Sequence, residues 1–87
     1  MMVVPLSQLS KGNVAYIDSI VANHAFGELD GLVSRRLADL GFSKGMPVEV
    51  VAAGVFGKGP FAVRLSNLSQ FSLRAAEASK ILCHINK

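Results

Sequence analysis

Cysteine occurs once in this sequence, at Cys83, and tryptophan does not occur at all. A lone cysteine excludes a disulfide framework and any metal knuckle built on paired thiolates. Histidine is nearly as scarce: His24 stands alone in a stretch that reads as a loop, and no CxxC, HxxxH or ExxH spacing exists. His84 adjoins Cys83, but successive side chains on a strand point to opposite faces, so the two are not expected to share an ion. Cys83 lies on the face of Ile81 and Ile85 and is expected to be a small core hydrophobe, with His84 solvated. No serine stands beside either histidine, which leaves no nucleophile with a positioned base. These absences exclude the common hydrolytic and metal-centre chemistries. The protein is expected not to be an enzyme and to carry no cofactor and no metal site.

Long apolar runs are missing as well. The longest uncharged apolar stretch, Val50 to Gly57, is far short of the ~20 residues that span a bilayer. The first residues lack the basic start and apolar core of a signal peptide, so a soluble cytoplasmic protein is expected. Glycine-rich residues 54–59 do not form a phosphate loop: the GxxxxGK[ST] spacing is absent, and the segment leads into a strand rather than a helix.

What the chain has in plenty is apolar side chains, 51% over 87 residues, enough for one modest core and a single domain over residues 1–87. The net charge of +3 comes from nine scattered basic residues. Only Arg35 and Arg36 are adjacent, and Asp30 and Asp39 flank them, so no basic stripe marks a nucleic-acid partner.

Periodicity supplies the elements. Leu6, Leu9 and Gly12 suggest a short opening turn, followed by a strand over residues 13–21 and a loop over 22–27. Leu29, Leu32, Val33, Leu37 and Leu40 recur at helical spacing, with Asp30 as N-cap and Gly41 as the left-handed residue that ends the helix. The leucine stripe is expected to pack onto a sheet, while Arg35 and Asp39 pair on the wet face. Four further alternating strands follow: one through Val48 and Val50, then Phe61/Val63/Leu65, Phe71/Leu73 and Ile81/Cys83/Ile85. Gly57-Lys58-Gly59-Pro60 reads as a hairpin tip. Five short, closely spaced strands usually close into a small barrel, giving a mainly β domain with one packed helix. From Val50 to Phe56 both faces of the strand are apolar. Either the helix or the N-terminal segment covers the outer row, or Val55 and Phe56, with Lys58 beside them, form a contact strip for another protein; Arg35 and Arg36 on the helix are the other candidate surface.

Leu40-Gly41-Phe42-Ser43-Lys44-Gly45-Met46-Pro47-Val48-Glu49-Val50, Gly57-Lys58-Gly59-Pro60 and Leu73-Arg74-Ala75-Ala76-Glu77-Ala78, in that order, resemble the ferrous iron transport protein A (FeoA) family. Leu9, Gly12, Gly41, Gly45, Gly57, Gly59, Pro60, Arg74, Glu77 and Ala78 match the family pattern, although the acid common at the hairpin is absent here. The resemblance implies an SH3-like barrel with a packed helix. It also implies an accessory role in bacterial ferrous iron uptake, by binding the cytosolic GTPase part of the FeoB membrane iron transporter. A free-standing barrel that binds RNA or the ribosome, or a relative of the C-terminal domain of metal-dependent repressors, is the alternative, and self-association stays open.

Overall fold

Alternating burial builds the sheet. In the computed structural model, which describes residues 2–54, 60–66 and 68–85, strand β4 (Phe61–Leu65) buries Phe61, Val63 and Leu65 and leaves Ala62 and Arg64 half-buried. Strand β2 (Val14–Ile20) buries Ala15 and Ile17, β3 (Pro47–Ala53) buries Val48 and Val50, and β6 (Ile81–Ile85) buries Ile81 and Cys83. Strand β5 (Gln70–Leu73) adds Leu73. Each fully buried aliphatic or aromatic side chain contributes about 1.5–3 kcal/mol, so these residues dominate the stability of the molecule.

Among the described residues there are six strands rather than the expected five. Residues Met2–Pro5 form β1, which pairs antiparallel with β6, Val4 opposite Cys83. A 3-10 turn, Leu6–Gln8, follows and buries Leu6. All six strands form one antiparallel sheet in the order β1-β6-β2-β3-β4-β5. Among the described residues the ladder does not run on from β5 to β1, so the expected closed five-stranded barrel is replaced by a curled open sheet. Bulges curl it: the register slips between Ile17 and Ser19 against β6, and between Val50 and Ala52 against β4. β3 spans Pro47–Ala53, with Ala52 and Ala53 exposed; Val55 and Phe56, the end of the doubly apolar stretch, lie outside the described residues.

Helix α1 (Asp30–Leu40) follows a 3-10 segment, His24–Leu29, where a loop was expected. Gly41 closes α1 at φ 112°, and the amides of Gly41 and Phe42 donate to the carbonyls of Ala38 and Leu37 at 3.0 and 3.2 Å. Phe42 then enters the core and meets Phe71, ring centroids 5.5 Å apart. Gly45, at φ 87°, donates its amide to the Ile17 carbonyl at 2.7 Å, which ties the turn before β3 to the bulge in β2. One turn of helix, α2 (Ala75–Ala78), joins β5 to β6; Glu77 Oε1 accepts the Arg74 amide at 2.8 Å at its start.

Candidate functional site

The stripe of α1 packs onto the sheet only through Leu37 and, half-buried, Val33. Leu37 alone is buried, at 1% exposure, while Leu29, Leu32 and Leu40 are 60%, 65% and 38% exposed. Periodicity reports that a helix has an apolar face, not that the same chain covers it. Arg35, Arg36 and Asp39 are exposed on the same helix, and the expected Arg35–Asp39 pair does not form.

What holds α1 is a polar clamp that the sequence did not reveal. Lys80, in the turn just before β6, is fully buried, and its Nζ donates to Asp30 Oδ1 and, at 3.3 Å, to the Asp30 carbonyl. The ammonium also lies 5.5 Å from the centre of the Phe26 ring. Asp30 is therefore not the N-cap, a position Leu29 takes, but the first helical residue, and its carboxylate faces the buried lysine. Asn23 completes the clamp: its amide donates to Asp30 Oδ1 at 2.8 Å, and its Nδ2 donates to the Ala76 carbonyl at 3.0 Å and Ser79 Oγ at 2.9 Å. The Lys80 hydrogen bond first, then the Asn23 amide, holds the Asp30 carboxyl below its ordinary value. Breaking one partner of a buried pair leaves a charge without compensation, so the clamp fixes where α1 begins.

Between α1 and the far edge of the sheet lies a groove of about 560 Å³. Leu29, Val33 and Leu40 form one wall, and residues Phe71, Ser72 and Leu73 the other. Arg36 and Arg74 stand at its rim, with Glu77.

Other residues singled out in the sequence fall elsewhere. Val55, Phe56, Gly57, Lys58 and Gly59 lie outside the described residues; Pro60, which follows them, is exposed. Cys83 is buried, and desolvation, with a smaller contribution from Asp18, pushes its thiol up to about 12, so it carries no reactive thiolate. His84 is not solvated: it is half-buried and stacked on Tyr16, its partner across β2, at 5.8 Å, with Nδ1 buried and unbonded. Among the described residues no three His, Cys, Asp or Glu side chains gather to hold a metal ion. No described helix is long and apolar enough to cross a membrane.

A curled antiparallel sheet with one helix clamped beside it is the architecture of small SH3-like domains, and comparisons with known proteins place it more closely. The FeoA domain family model matches residues 4–84, and the chain belongs to that family. Stenotrophomonas maltophilia FeoA, solved in complex with zinc and described as a prokaryotic SH3-domain protein and possible ferrous iron transport activating factor, is 33% identical. The match covers 93% of this chain and 89% of that one, with a TM-score of 0.77. Chlorobium tepidum FeoA is 31% identical over 97% of this chain and 71% of its own, TM-score 0.74. A manganese-dependent transcriptional repressor shares the fold, with a TM-score of 0.77 at 19% identity, over 97% of this chain and 42% of the repressor. No curated protein sequence matches.

Proposed function

We propose that this protein is a non-catalytic accessory factor of ferrous iron uptake that docks, through α1, on the cytosolic GTPase part of the membrane ferrous iron transporter. One observation carries the reading: a helix fixed at both ends that leaves Leu29 and Leu32 uncovered. Exposed leucines on a clamped element suit a partner, because the surface is ordered before binding and little entropy is lost on contact. Membership of the FeoA family, with a relative described as a transport activating factor, supports the choice of partner. Arg35 and Arg36 edge the leucine face and would steer association more than hold it. Val55, Phe56 and Lys58, which the sequence places at a hairpin tip, are a second candidate contact. The working location is the cytoplasm, at the inner face of the membrane.

The test is capture of the protein by the transporter's purified cytosolic GTPase domain, wild type against Leu32→Glu. Truncating an apolar anchor typically costs ~2 kcal/mol or more, so capture should weaken at least about tenfold while circular dichroism stays unchanged. Equal capture of the two proteins would move the contact off α1.

A further inference from the structure

Strand β5 is an edge whose outward hydrogen-bonding groups are identifiable. The Leu65 amide donates to the Ser69 carbonyl at 2.9 Å, and the β4–β5 register places Val63 opposite Phe71 and Phe61 opposite Leu73. In an antiparallel ladder, hydrogen-bonded and non-bonded pairs alternate. Leu65/Ser69, Val63/Phe71 and Phe61/Leu73 are thus the bonded pairs, and the N–H and C=O of Gln70 and Ser72 point away from β4. Among the described residues β5 has no second neighbour in the sheet, and those groups find no other backbone partner. Such an edge is a template for another strand.

Here the edge opens into the groove under α1. Ser72 lies on one wall, Leu29, Val33 and Leu40 on the other, and Arg36 and Arg74 at the rim. Glu77 also lines the groove and keeps its negative charge, but its Oε1 is taken up by the Arg74 amide at the start of α2; with two arginines against one carboxylate, the lining carries a net positive charge. We propose that this groove receives an extended segment of the partner protein, which adds to β5 as a seventh strand. Its apolar side chains, at alternate positions, lie against the leucines of α1, and its carboxylates face Arg36 and Arg74. Backbone bonds then supply affinity, and the alternating side chains supply selectivity. A second copy of this chain is a poorer occupant, since two copies would bring their arginine rims together. The inference deepens the accessory-factor reading and rests on it for the partner's identity.

The probe is a short capped peptide alternating glutamate with valine, titrated into the isotopically labelled protein. Binding is expected to slow exchange of the Gln70 and Ser72 amides and to shift residues 70–74 and the α1 leucines. Two backbone-methylated versions decide the mode. Methyl groups on the amides facing β5 should weaken binding about tenfold or more, and methyl groups on the opposite set should not. Lysine in place of glutamate should also weaken it, more so at low salt. Ser72→Pro, which removes only an outward N–H and is tolerated on an edge, should block the parent peptide. No shifts at 70–74 with millimolar peptide, or equal binding of both methylated peptides, overturns the proposal; so does a peptide-sensitive dimer in sedimentation. Capture by the GTPase domain is read separately. Its failure with peptide binding intact sinks the accessory-factor reading alone; GTPase capture without protection at Ser72 sinks this one.

Discussion

The sheet and helix α1 are held in the same molecule by different forces. Strands β2, β3, β4 and β6 meet through Ile17, Val48, Val50, Val63, Ile81 and Cys83, none more than 1% exposed. Helix α1 contributes one such side chain, Leu37, with Val33 half-buried beside it, and is fixed at its ends by the Lys80–Asp30–Asn23 clamp at the start and by Gly41 and Phe42 at the finish. Burial is non-directional and adds up over many contacts, so the sheet tolerates small local changes. A clamp depends on each of its members and on their protonation. In return, a helix held by its ends keeps its long face free, which burial of the leucine stripe would have forbidden.

Substitutions that touch one region and not the other sharpen this contrast. The largest effect is expected from Phe61→Ala, at about 3–5 kcal/mol, with sheet and helix signals lost together in denaturant. Lys80→Met removes the ammonium but keeps the stem's volume. It should cost about 2 kcal/mol, and amide exchange should quicken in α1 well before β2 to β4. Equal loss of protection in both regions would show the clamp and the core to be one cooperative unit. Gly41→Val should cost about 1–2 kcal/mol, because its φ of 112° disfavours a side chain and a Cβ there would meet Leu65 Cδ1 at 3.1 Å.

Acid should act on the helix first. The Asp30 carboxyl is depressed below its ordinary 3.8, so its stabilisation is fully present above that value and is lost as pH falls through the lower, folded value. Above about pH 5, α1 protection should therefore be flat, and below pH ~4 it should fall before the sheet melts. Asp30→Asn should abolish that acid limb, which amide exchange across a pH series would reveal.

The sheet was largely legible in the sequence, because period-two alternation is a direct imprint of one buried face. Phe61/Val63/Leu65 and Ile81/Cys83 show it plainly. Strand β1 was not, since Met2-Val3-Val4-Pro5 has no alternation and ends in proline, as an edge strand can. Leucine spacing located α1 and Gly41 its end, but spacing cannot say what a stripe faces. Lys80 was invisible for a different reason. One lysine among nine scattered cations carries no local mark of burial; only a partner fifty positions away, Asp30, makes it so. The groove depends on the same long-range placement, and no local signal announces it.

At the turn between β4 and β5, Leu68 sits at φ 71°, a region costing a leucine roughly 1 kcal/mol. Being 78% exposed as a residue, it recovers little by burial. Leu68→Asn, a residue at home in that conformation, should raise the melting temperature by a few degrees, about 4–8 °C per kcal/mol in a domain this size. That turn is thus a reservoir of untapped robustness, and a chain carrying the asparagine would be a sturdier chassis in which to explore disruptive changes at the clamp and groove.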